Sequence, residues 1–292
     1  MPELPEVETV RLGLNAVTCH LPIVGTEVLL ARTITYPKVL AEFQAGLQGV
    51  QIAEWRRRGK YLLATLNKDG LQPAGWLGVH LRMSGQLLWV EASEPLHKHT
   101  RVRLSFEKNQ ELRFLDQRTF GQLWWVPPSE DPNYIMSGFG ALGPEPLSPE
   151  LSDEYLEKVL RGRDRPIKNA LLDQTLIAGL GNIYVDESLF LSGIHPTQPC
   201  KRLTVSQIKK LHGAIEEVIQ TALTQGGTTF SSFRQVSGTN GNYGGVAWVY
   251  RRGGQPCHQC NTPIEKMRLG GRSCHFCPQC QPVLKDKIET VP

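Results

Sequence analysis

The sequence predicts an α+β protein with more than one domain, and three observations support this prediction. Residues up to about 135 alternate short apolar runs with turns, which is typical of strands, whereas later residues place apolar side chains at helical spacing. Near the C-terminus, two pairs of cysteines have the spacing of a metal site. With 292 residues, the chain is long for a single core and suits two domains.

The composition indicates a water-soluble protein with a small positive charge. No apolar run approaches the length of about 20 residues that spans a bilayer. The net charge is +4, from 32 basic and 28 acidic residues, which is modest for a protein that binds nucleic acid. We therefore expect basic side chains to act as individual phosphate contacts rather than through a general electrostatic field.

The N-terminal part is predicted to begin with a helix and to continue as short strands. Residues 6–14 have helical character, and we expect the helix to end near Gly13 or Asn15. Many short strands with regular turns predict a sandwich or a barrel. The predicted strands are residues 27–30, 61–65, 86–90, 102–106, 111–115 and 123–126.

Residues 137–149 are rich in glycine and proline and show no periodicity, so they predict a linker between domains. Helical signals follow it. Ser148 is expected to cap a helix that has Pro149 at its first position, and Pro166 stands near the start of the next helix.

The longest predicted helix begins at a capping box formed by Thr204 and Gln207 and is closed by Gly226 and Gly227. Its apolar residues recur at helical spacing and indicate a core face. Upstream, the glycine-bounded turn in residues 179–187 leads into another helix start, where free amides can bind a phosphate. Taken alone this signal is weak, since most such turns merely end a helix.

Two Cys-x-x-Cys pairs, Cys257 with Cys260 and Cys277 with Cys280, are separated by sixteen residues and predict one tetrahedral zinc site. Cys274 forms a competing pair with Cys277, but the similar sequences of the two knuckles favour the first set. No signal peptide is visible, so we expect a cytoplasmic location in which thiols stay reduced. The two isolated cysteines fit small buried residues better than ligands. They are Cys19 and Cys200.

The first residues carry a second chemical signal. Removal of Met1 would make Pro2 the free amine of the chain, with Glu3 beside it. A secondary amine that attacks an electrophilic carbon forms an iminium ion, which is a strong electron sink, and an α-amino group is less basic than lysine. The alternative is an ordinary surface start, because proline is common after the initiator methionine.

Several motifs, in this order, resemble the formamidopyrimidine-DNA glycosylases, base-excision repair enzymes that remove oxidised purines and then cut the strand. The resemblance covers almost the full length. It rests on residues 2–9 (PELPEVET), 58–63 (RGKYLL), 80–85 (HLRMSG), 116–121 (DQRTFG), 142–147 (LGPEPL) and 179–184 (GLGNIY), and on the cysteine pairs.

The resemblance implies an α+β multidomain fold with an N-terminal β-sandwich, a helical helix–two-turn–helix domain and a zinc-finger β-hairpin. We expect a catalytic sandwich domain over residues 1–135, a linker over 136–148, the helical DNA-binding domain over 149–249 and the hairpin over 250–284. The helical domain would include a glycine-rich lid over the flipped purine, within residues 234–252. One structural Zn²⁺ per chain is implied.

In the family pattern, Pro2 matches the nucleophile that attacks C1′ of the flipped nucleotide, and Glu3 matches the carboxyl group that moves protons. The resulting iminium acidifies the C2′ proton and permits β- and then δ-elimination of the two phosphates. Glu6 matches a supporting carboxylate, although a surface carboxylate on a helix is nearly as plausible. Lys60 and Arg272 match residues that contact DNA and are needed for catalysis, although a lysine at such a position is usually solvated.

Three residues match the set that fills the gap left by the flipped nucleotide, namely Met83, Arg118 and Phe120. Taken singly, Met83 and Phe120 would more often belong to a core. Asp116 is expected to hold Arg118, and the neighbouring Gln117 and Thr119 depart from the family's usual Asp-Pro-Arg-Arg-Phe-Gly, which puts the rigidity of the loop in doubt. The implied backbone contacts are His99, Arg163 and Asn182.

The resemblance implies a monomeric enzyme that binds double-stranded DNA with oxidised bases or abasic sites, without a membrane partner, in a bacterial cytoplasm and associated with the nucleoid. Two alternatives remain. A glycosylase of the same superfamily could act on oxidised pyrimidines, and a zinc-dependent DNA-binding protein could recognise structure without cutting. Covalent trapping with borohydride distinguishes the last alternative, because only an imine-forming enzyme becomes joined to damaged DNA.

Overall fold

The computed structural model describes residues 1–228 and 242–283. The chain divides into two units, one formed by residues 1–142 with 222–244 and the other by residues 143–221 with 245–292. Within the described ranges, no helix is both long and apolar enough to cross a membrane.

The first unit contains helices α1 to α3 and strands β1 to β9. Its helices are α1 (Leu4–Thr18), α2 (Leu40–Leu47) and α3 (Pro132–Ile135). Its strands are β1 (Ile23–Val28), β2 (Ile34–Tyr36), β3 (Gln51–Arg58), β4 (Tyr61–Lys68), β5 (Gln72–His80), β6 (Gly85–Glu91), β7 (Thr100–Phe106), β8 (Gln110–Asp116) and β9 (Gln122–Val126).

The strands form two sheets with the orders β1-β7-β8-β6 and β2-β9-β5-β4-β3. All pairings are antiparallel except that of β2 with β9. Buried side chains from both sheets and from α1 and α2 belong to one hydrophobic core, as the alternation of apolar residues in β7 illustrates. The fold is therefore the predicted β-sandwich rather than a barrel.

Helix α1 is joined to β3 by polar contacts as well as by apolar packing. Asn15 donates from Nδ2 to the carbonyl of Trp55 at 3.0 Å and accepts from its amide at 2.7 Å. The indole nitrogen of Trp55 donates to Thr18 Oγ1 at 2.9 Å. The side chain of Asn15 is bound to β3 and does not cap the helix. The predicted end near Gly13 or Asn15 is therefore wrong, and α1 continues to Thr18.

The structure corrects several predicted elements. Helix α1 begins at Leu4, before the predicted start, and the sequence analysis missed α2 and strands β2, β3 and β5. Strand β5 was missed because its glycines resemble turn residues. Gly75 has φ +90° and a Cβ there would lie 2.0 Å from the carbonyl oxygen of Val126, so a close approach of two strands requires this glycine.

The second unit contains the remaining helices and the hairpin. The last three residues of helix α7, 222–224, belong to the first unit. The elements are α4 (Asp153–Leu160), α5 (Ile167–Leu171), α6 (Asn182–Leu191), α7 (Val205–Thr224), β10 (Glu265–Leu269) and β11 (Arg272–Phe276).

Most of the helical signals are confirmed. Thr204 and Gln207 form the capping box, with the Gln207 amide donating to Thr204 Oγ1 at 3.2 Å and the Thr204 amide donating to Gln207 Oε1 at 3.1 Å. The predicted cap at Ser148 is wrong. Its hydroxyl donates to the carbonyl of Glu145, and α4 starts later, where Ser152 Oγ accepts from the amide of Tyr155.

Strand β11 contacts α6. The segments on either side of the hairpin, which carry the cysteines, pack with Phe190 of α6 in a small cluster that also contains Val249 and Ile264. Glu187 in α6 supports the segment that leads to the hairpin, because its carboxylate oxygens accept the backbone amides of residues 248, 249 and 250 at 2.7 to 2.9 Å. A carboxylate this deeply buried needs such partners. The four domain limits expected from the sequence, 1–135, 136–148, 149–249 and 250–284, remain a proposal.

Candidate functional site

The start of α1 is a buried acidic position. Pro2 is buried, whereas Met1 before it is 40% exposed. Glu3 and Glu6 are both buried, and the Glu3 amide donates to Glu6 Oε2 at 2.8 Å. The first helical turn therefore fixes the backbone that carries Pro2, next to two carboxyl groups.

The other oxygen of Glu6 binds a segment far away in the sequence. Glu6 Oε1 accepts from the amide of Thr228 at 2.7 Å and from its hydroxyl at 3.0 Å. Gly227, with φ +77°, lies so close that a Cβ would stand 2.8 Å from the same oxygen. Glu6 is thus a structural link in this unit, and the idea of a solvated surface carboxylate is wrong.

Lys60 lies in the turn between β3 and β4 and is only 7% exposed, so it is not an ordinary solvated lysine. Arg57 joins this turn to α1. The Nε of Arg57 donates to Oε2 of Glu8 in α1 at 3.0 Å, and its Nη1 donates to the carbonyl of Gly59 in the turn at 3.1 Å. Burial raises the pKa of Glu8, but hydrogen bonds and charge from Arg11 and Arg57 outweigh this effect and lower the pKa.

His80 at the end of β5 belongs to the same region. Burial, together with the positive charges of Arg82 and Lys60, lowers its pKa to about 3. Its Nδ1 accepts the amide of Arg82 at 2.9 Å, and its ring meets that of Tyr61 edge-on at 4.5 Å. The imidazole is therefore neutral at physiological pH, with the proton on Nε2.

Two loops of the first unit bring the predicted gap-filling residues together. Asp116 organises them, since its Oδ1 accepts from Ser84 Oγ at 2.5 Å and from the amide of Arg118 at 3.2 Å. Its Oδ2 accepts the amide of Gly121 at 2.7 Å. Asp116 therefore holds Arg118 through the backbone amide. The guanidinium of Arg118 is not bound to this carboxylate.

The side chains on these loops point to solvent. Met83 is 37% and Phe120 is 53% exposed, so the alternative that they are core residues is wrong. The Arg118 guanidinium lies 5.0 Å from the centre of the Phe120 ring. Thr119, with φ +59°, donates to the carbonyl of Arg118 at 2.7 Å and accepts from Arg32, so the unusual residue is itself anchored.

His99 borders an open cleft of about 680 Å³ on the outer side of β6 and β8. Its ring Nδ1 lies 3.2 Å from an Arg101 guanidinium nitrogen. Partial burial, with the charges of Lys98 and Arg101, lowers the pKa of His99. The ring is therefore placed among positive groups, at the edge of the loops described above.

In the second unit, the predicted contacts Asn182 and Arg272 lie beside one another in the structure. Asn182 is the first residue of α6, and its Nδ2 donates to the carbonyl of Ser273 at 2.9 Å. Arg272, the residue before Ser273, is exposed at the start of β11. Arg163 is also exposed, and its Nε donates to the carbonyl of Val159 at the end of α4.

The four predicted ligand cysteines converge. Their sulfur atoms all lie within 4.8 Å of one another, with Sγ–Sγ distances of 3.4 to 3.9 Å for three of the pairs. A tetrahedron with Zn–S bonds of about 2.3 Å has edges of about 3.8 Å, so these residues fit one zinc ion. Backbone amides of Gln259 and Cys280 donate to sulfur atoms, as expected for two metal-binding knuckles.

Cys274 is not part of this cluster. It is fully buried on β11, and burial with the nearby charge of Asp186 raises the pKa of its thiol to about 12. The argument against Cys274 as a ligand is geometric, because the four sulfur atoms that converge belong to Cys257, Cys260, Cys277 and Cys280. The structure also shows buried groups that the sequence analysis missed, of which the pair of Lys168 and Asp186 is the clearest. Nothing in the sequence marks that lysine as buried.

The predicted lid extends over residues 234–252. Its first part, residues 234–241, lies outside the described residues. The described part begins with the amide of Asn242, which donates to the carbonyl of Gln225, and with that of Tyr243, which donates to the carbonyl of Gly227. Residues 242 and 243 are therefore bound to Gln225 and Gly227, directly before Thr228, which donates to Glu6.

Three family models match this chain. Residues 1–123 match the formamidopyrimidine-DNA glycosylase N-terminal domain, residues 142–234 the helix–two-turn–helix (H2TH) domain of these enzymes, and residues 254–283 a zinc finger found in FPG and IleRS. Formamidopyrimidine-DNA glycosylases from Trichodesmium erythraeum and Acaryochloris marina are each 60% identical, over 96% and 97% of this chain and 100% and 99% of their own.

Solved structures are similar over 97% of this chain and 100% of theirs, at 34% identity. A Lactococcus lactis FPG mutant with Fapy-dG containing DNA has a TM-score of 0.88. The wild-type L. lactis protein with an oxidised pyrimidine containing DNA has a TM-score of 0.87, as does MutM with carbocyclic 8-oxo-G containing DNA.

The zinc assignment makes a prediction about two cysteines. Cys274→Ser should keep one equivalent of zinc, because its thiol packs in the interior of the hairpin. Cys280→Ser should lose the metal and weaken DNA binding, since the binding energy of the zinc stabilises the hairpin. Metal analysis of both purified variants checks this, and zinc loss from Cys274→Ser with retention in Cys280→Ser would reverse the assignment.

The pKa of His80 predicts a pH dependence. The folded pKa of about 3 lies below the ordinary value of 6.5, so from pH 6.5 downward the unfolded chain binds a proton that the folded chain does not. Stability should fall as the pH falls through this window, by about 1.4 kcal/mol per pH unit more in the wild type than in His80→Gln. Urea unfolding at several pH values measures both slopes, and equal slopes would refute a neutral buried His80.

Proposed function

Because this chain belongs to the formamidopyrimidine-DNA glycosylase family, we propose that the amine of Pro2, once Met1 is removed, is its nucleophile. The protein is a DNA glycosylase of base-excision repair that acts on oxidised purines, and it is also a lyase at the resulting abasic site. The observation that carries the proposal is the buried start of α1, where Pro2 adjoins Glu3 and Glu6 fixes the backbone.

The first step breaks the bond between the base and the sugar. The lone pair of the Pro2 nitrogen attacks C1′, and the base leaves with the electrons of the glycosidic bond and takes up a proton. Glu3 is suited to move protons here, because it is buried beside the amine. Opening of the sugar ring leaves an iminium ion between C1′ and the Pro2 nitrogen.

The second step cuts the strand. The iminium ion withdraws electrons from C2′, so loss of a C2′ proton expels the 3′ phosphate, and a further elimination expels the 5′ phosphate. Water then hydrolyses the linkage and returns the free amine of Pro2. A single covalent intermediate thus serves both the glycosylase and the lyase reactions.

Extrusion of the damaged nucleotide leaves a gap in the duplex, which needs stacking and hydrogen-bonding groups. Met83, Arg118 and Phe120 suit this role because they are exposed on loops that Asp116 holds. The proposed contacts with DNA phosphates or base edges are Lys60, His99, Arg163, Asn182 and Arg272. Their positive, imidazole or amide side chains would donate to individual phosphates or base edges, in agreement with the small net charge.

The four-cysteine cluster is proposed to hold one structural Zn²⁺ with Cys257, Cys260, Cys277 and Cys280. When bound, the ion would fix the hairpin that carries Arg272. We further propose that the protein acts as a monomer on double-stranded DNA in a bacterial cytoplasm. Activity on oxidised pyrimidines is a second candidate, because the L. lactis relative binds such DNA. Base release from duplexes that carry either lesion measures the preference.

The nucleophile can be tested at the first residue. Pro2→Gly, or a form that keeps Met1, should lose base release and borohydride-trapped complex by more than about 100-fold, because the secondary amine is gone. Binding to an abasic analogue should largely survive, since the phosphate contacts lie elsewhere. Pro5→Gly in the same helical turn is the control. Full trapping by a form that intact mass shows to retain Met1 would exclude Pro2.

The role of Arg118 can be separated from the chemistry. Arg118→Ala should slow base release from a lesion duplex and weaken discrimination of the opposite base. A preformed abasic site should still be cleaved at near the normal rate, because it needs less unstacking. Arg56→Ala removes the same charge at an exposed position on β3 and serves as the control. Equal losses on both substrates would show that Arg118 does not fill the gap.

A further inference from the structure

The second unit contains an ion pair whose two side chains are completely buried. Lys168 in α5 and Asp186 in α6 both have side chains with 0% exposure, and Nζ lies 2.6 Å from Oδ1. Removing two charges from water costs more than their attraction returns unless further hydrogen bonds complete the arrangement. The additional partners of this pair therefore indicate what it does.

Both partners bind the backbone of β11. Lys168 Nζ donates to the carbonyl of Ser273 at 2.7 Å, and Asp186 Oδ2 accepts the amide of His275 at 3.0 Å. Asn182 Nδ2 donates to the same Ser273 carbonyl at 2.9 Å. Two helices thus hold the strand at the residue that directly follows Arg272.

The turn before Arg272 is also seated on α5. Gly270 has φ +56°, and a Cβ there would lie 2.8 Å from Asn169 Oδ1. Asn169 is the neighbour of Lys168, so Arg272 is bracketed between a turn against α5 and a carbonyl held by Lys168. These contacts, two residues before Arg272 and one residue after it, restrict both the position and the direction of its exposed side chain.

The cysteine cluster lies at the other end of β11 and has its own attachment. Gln281 Oε1 accepts the amide of Cys277, and Gln281 Nε2 donates to the carbonyl of Ile194. The zinc site would therefore hold the knuckle end of the hairpin, whereas the ion pair holds the end that carries Arg272. These are separate attachments on the same strand.

We propose that Lys168 and Asp186 are positioning residues that hold Arg272, together with Asn182, in register to grip one DNA phosphate. The inference rests on the proposed role of Arg272. An apolar pair could fill the same space, but it would not supply the directed bonds to Ser273 and His275 and would leave the buried amide of His275 without this acceptor. The buried charges thus fix the geometry of β11.

The test replaces the pair by apolar residues, in Lys168→Met with Asp186→Leu. This variant should keep one equivalent of zinc, and its unfolding temperature should fall by no more than a few degrees, as expected for one buried amide that loses its acceptor. Its dissociation constant for a duplex with an abasic analogue should rise by about 10- to 100-fold. The slope of log Kd against log salt concentration should fall by about 0.9, as expected for one lost phosphate contact. Turnover of bound substrate should change less than KM.

A double-mutant cycle with Arg272→Ala separates positioning from a general structural effect. If the pair acts through Arg272, its replacement should add no further loss of affinity and no further change of salt slope in the Arg272→Ala background. His212→Gln, which disturbs a polar contact between α7 and α4, is the control and should leave both quantities unchanged.

Each result has one meaning. Additive losses, or an unchanged affinity of the apolar pair variant, would overturn the inference while leaving the role of Arg272 intact. An Arg272→Ala variant with normal affinity and slope would instead refute the proposed phosphate contact, and the inference with it. If the apolar pair variant does not retain zinc, the neutral pair Lys168→Gln with Asp186→Asn is measured in its place. Its amides can still bond to Ser273 and His275, so affinity and salt slope should stay close to the wild-type values. A loss of affinity in this variant with zinc retained would overturn the inference.

Discussion

The proposed chemistry at Pro2 depends on the hydrogen bonds that the buried carboxylate of Glu6 accepts. One oxygen holds the amide of Glu3, and the other holds Thr228, more than two hundred residues away in the chain. A buried carboxylate is tolerated only when such donors surround it, so its partners are fixed in place. The backbone that carries Pro2 is fixed by the same hydrogen bonds. Asn15 further attaches α1 to β3, and Glu8 attaches it to the turn that contains Lys60.

The same physical device recurs across the described chain. Asp116 binds the amides of the loop that exposes Arg118, Glu187 binds three successive amides near the hairpin, and Asp186 with Lys168 binds β11. In each case a buried acid receives backbone donors, and the proposed DNA contacts Arg118 and Arg272 lie beside two of these acids.

Features with local causes could be predicted from the sequence, and those with long-range causes could not. The alternation in β7, the capping box at Thr204 and the repeated cysteine knuckles each follow from a few adjacent residues. Strand β5 escaped prediction because Gly75 is needed by a neighbouring strand rather than by a turn. Lys168 resembles a surface lysine of a short helix, and only tertiary packing shows that it is buried.

The central claim is that the nitrogen of Pro2, and not a lysine, forms the covalent intermediate. Lys60 is the competing amine, since it is buried in the same unit and its charge lowers the pKa of His80. The most direct measurement is peptide mapping by mass spectrometry after borohydride reduction of the enzyme with a lesion duplex. The account predicts the sugar remnant on the N-terminal peptide, at the nitrogen of Pro2. A remnant on the peptide that contains Lys60 would contradict it.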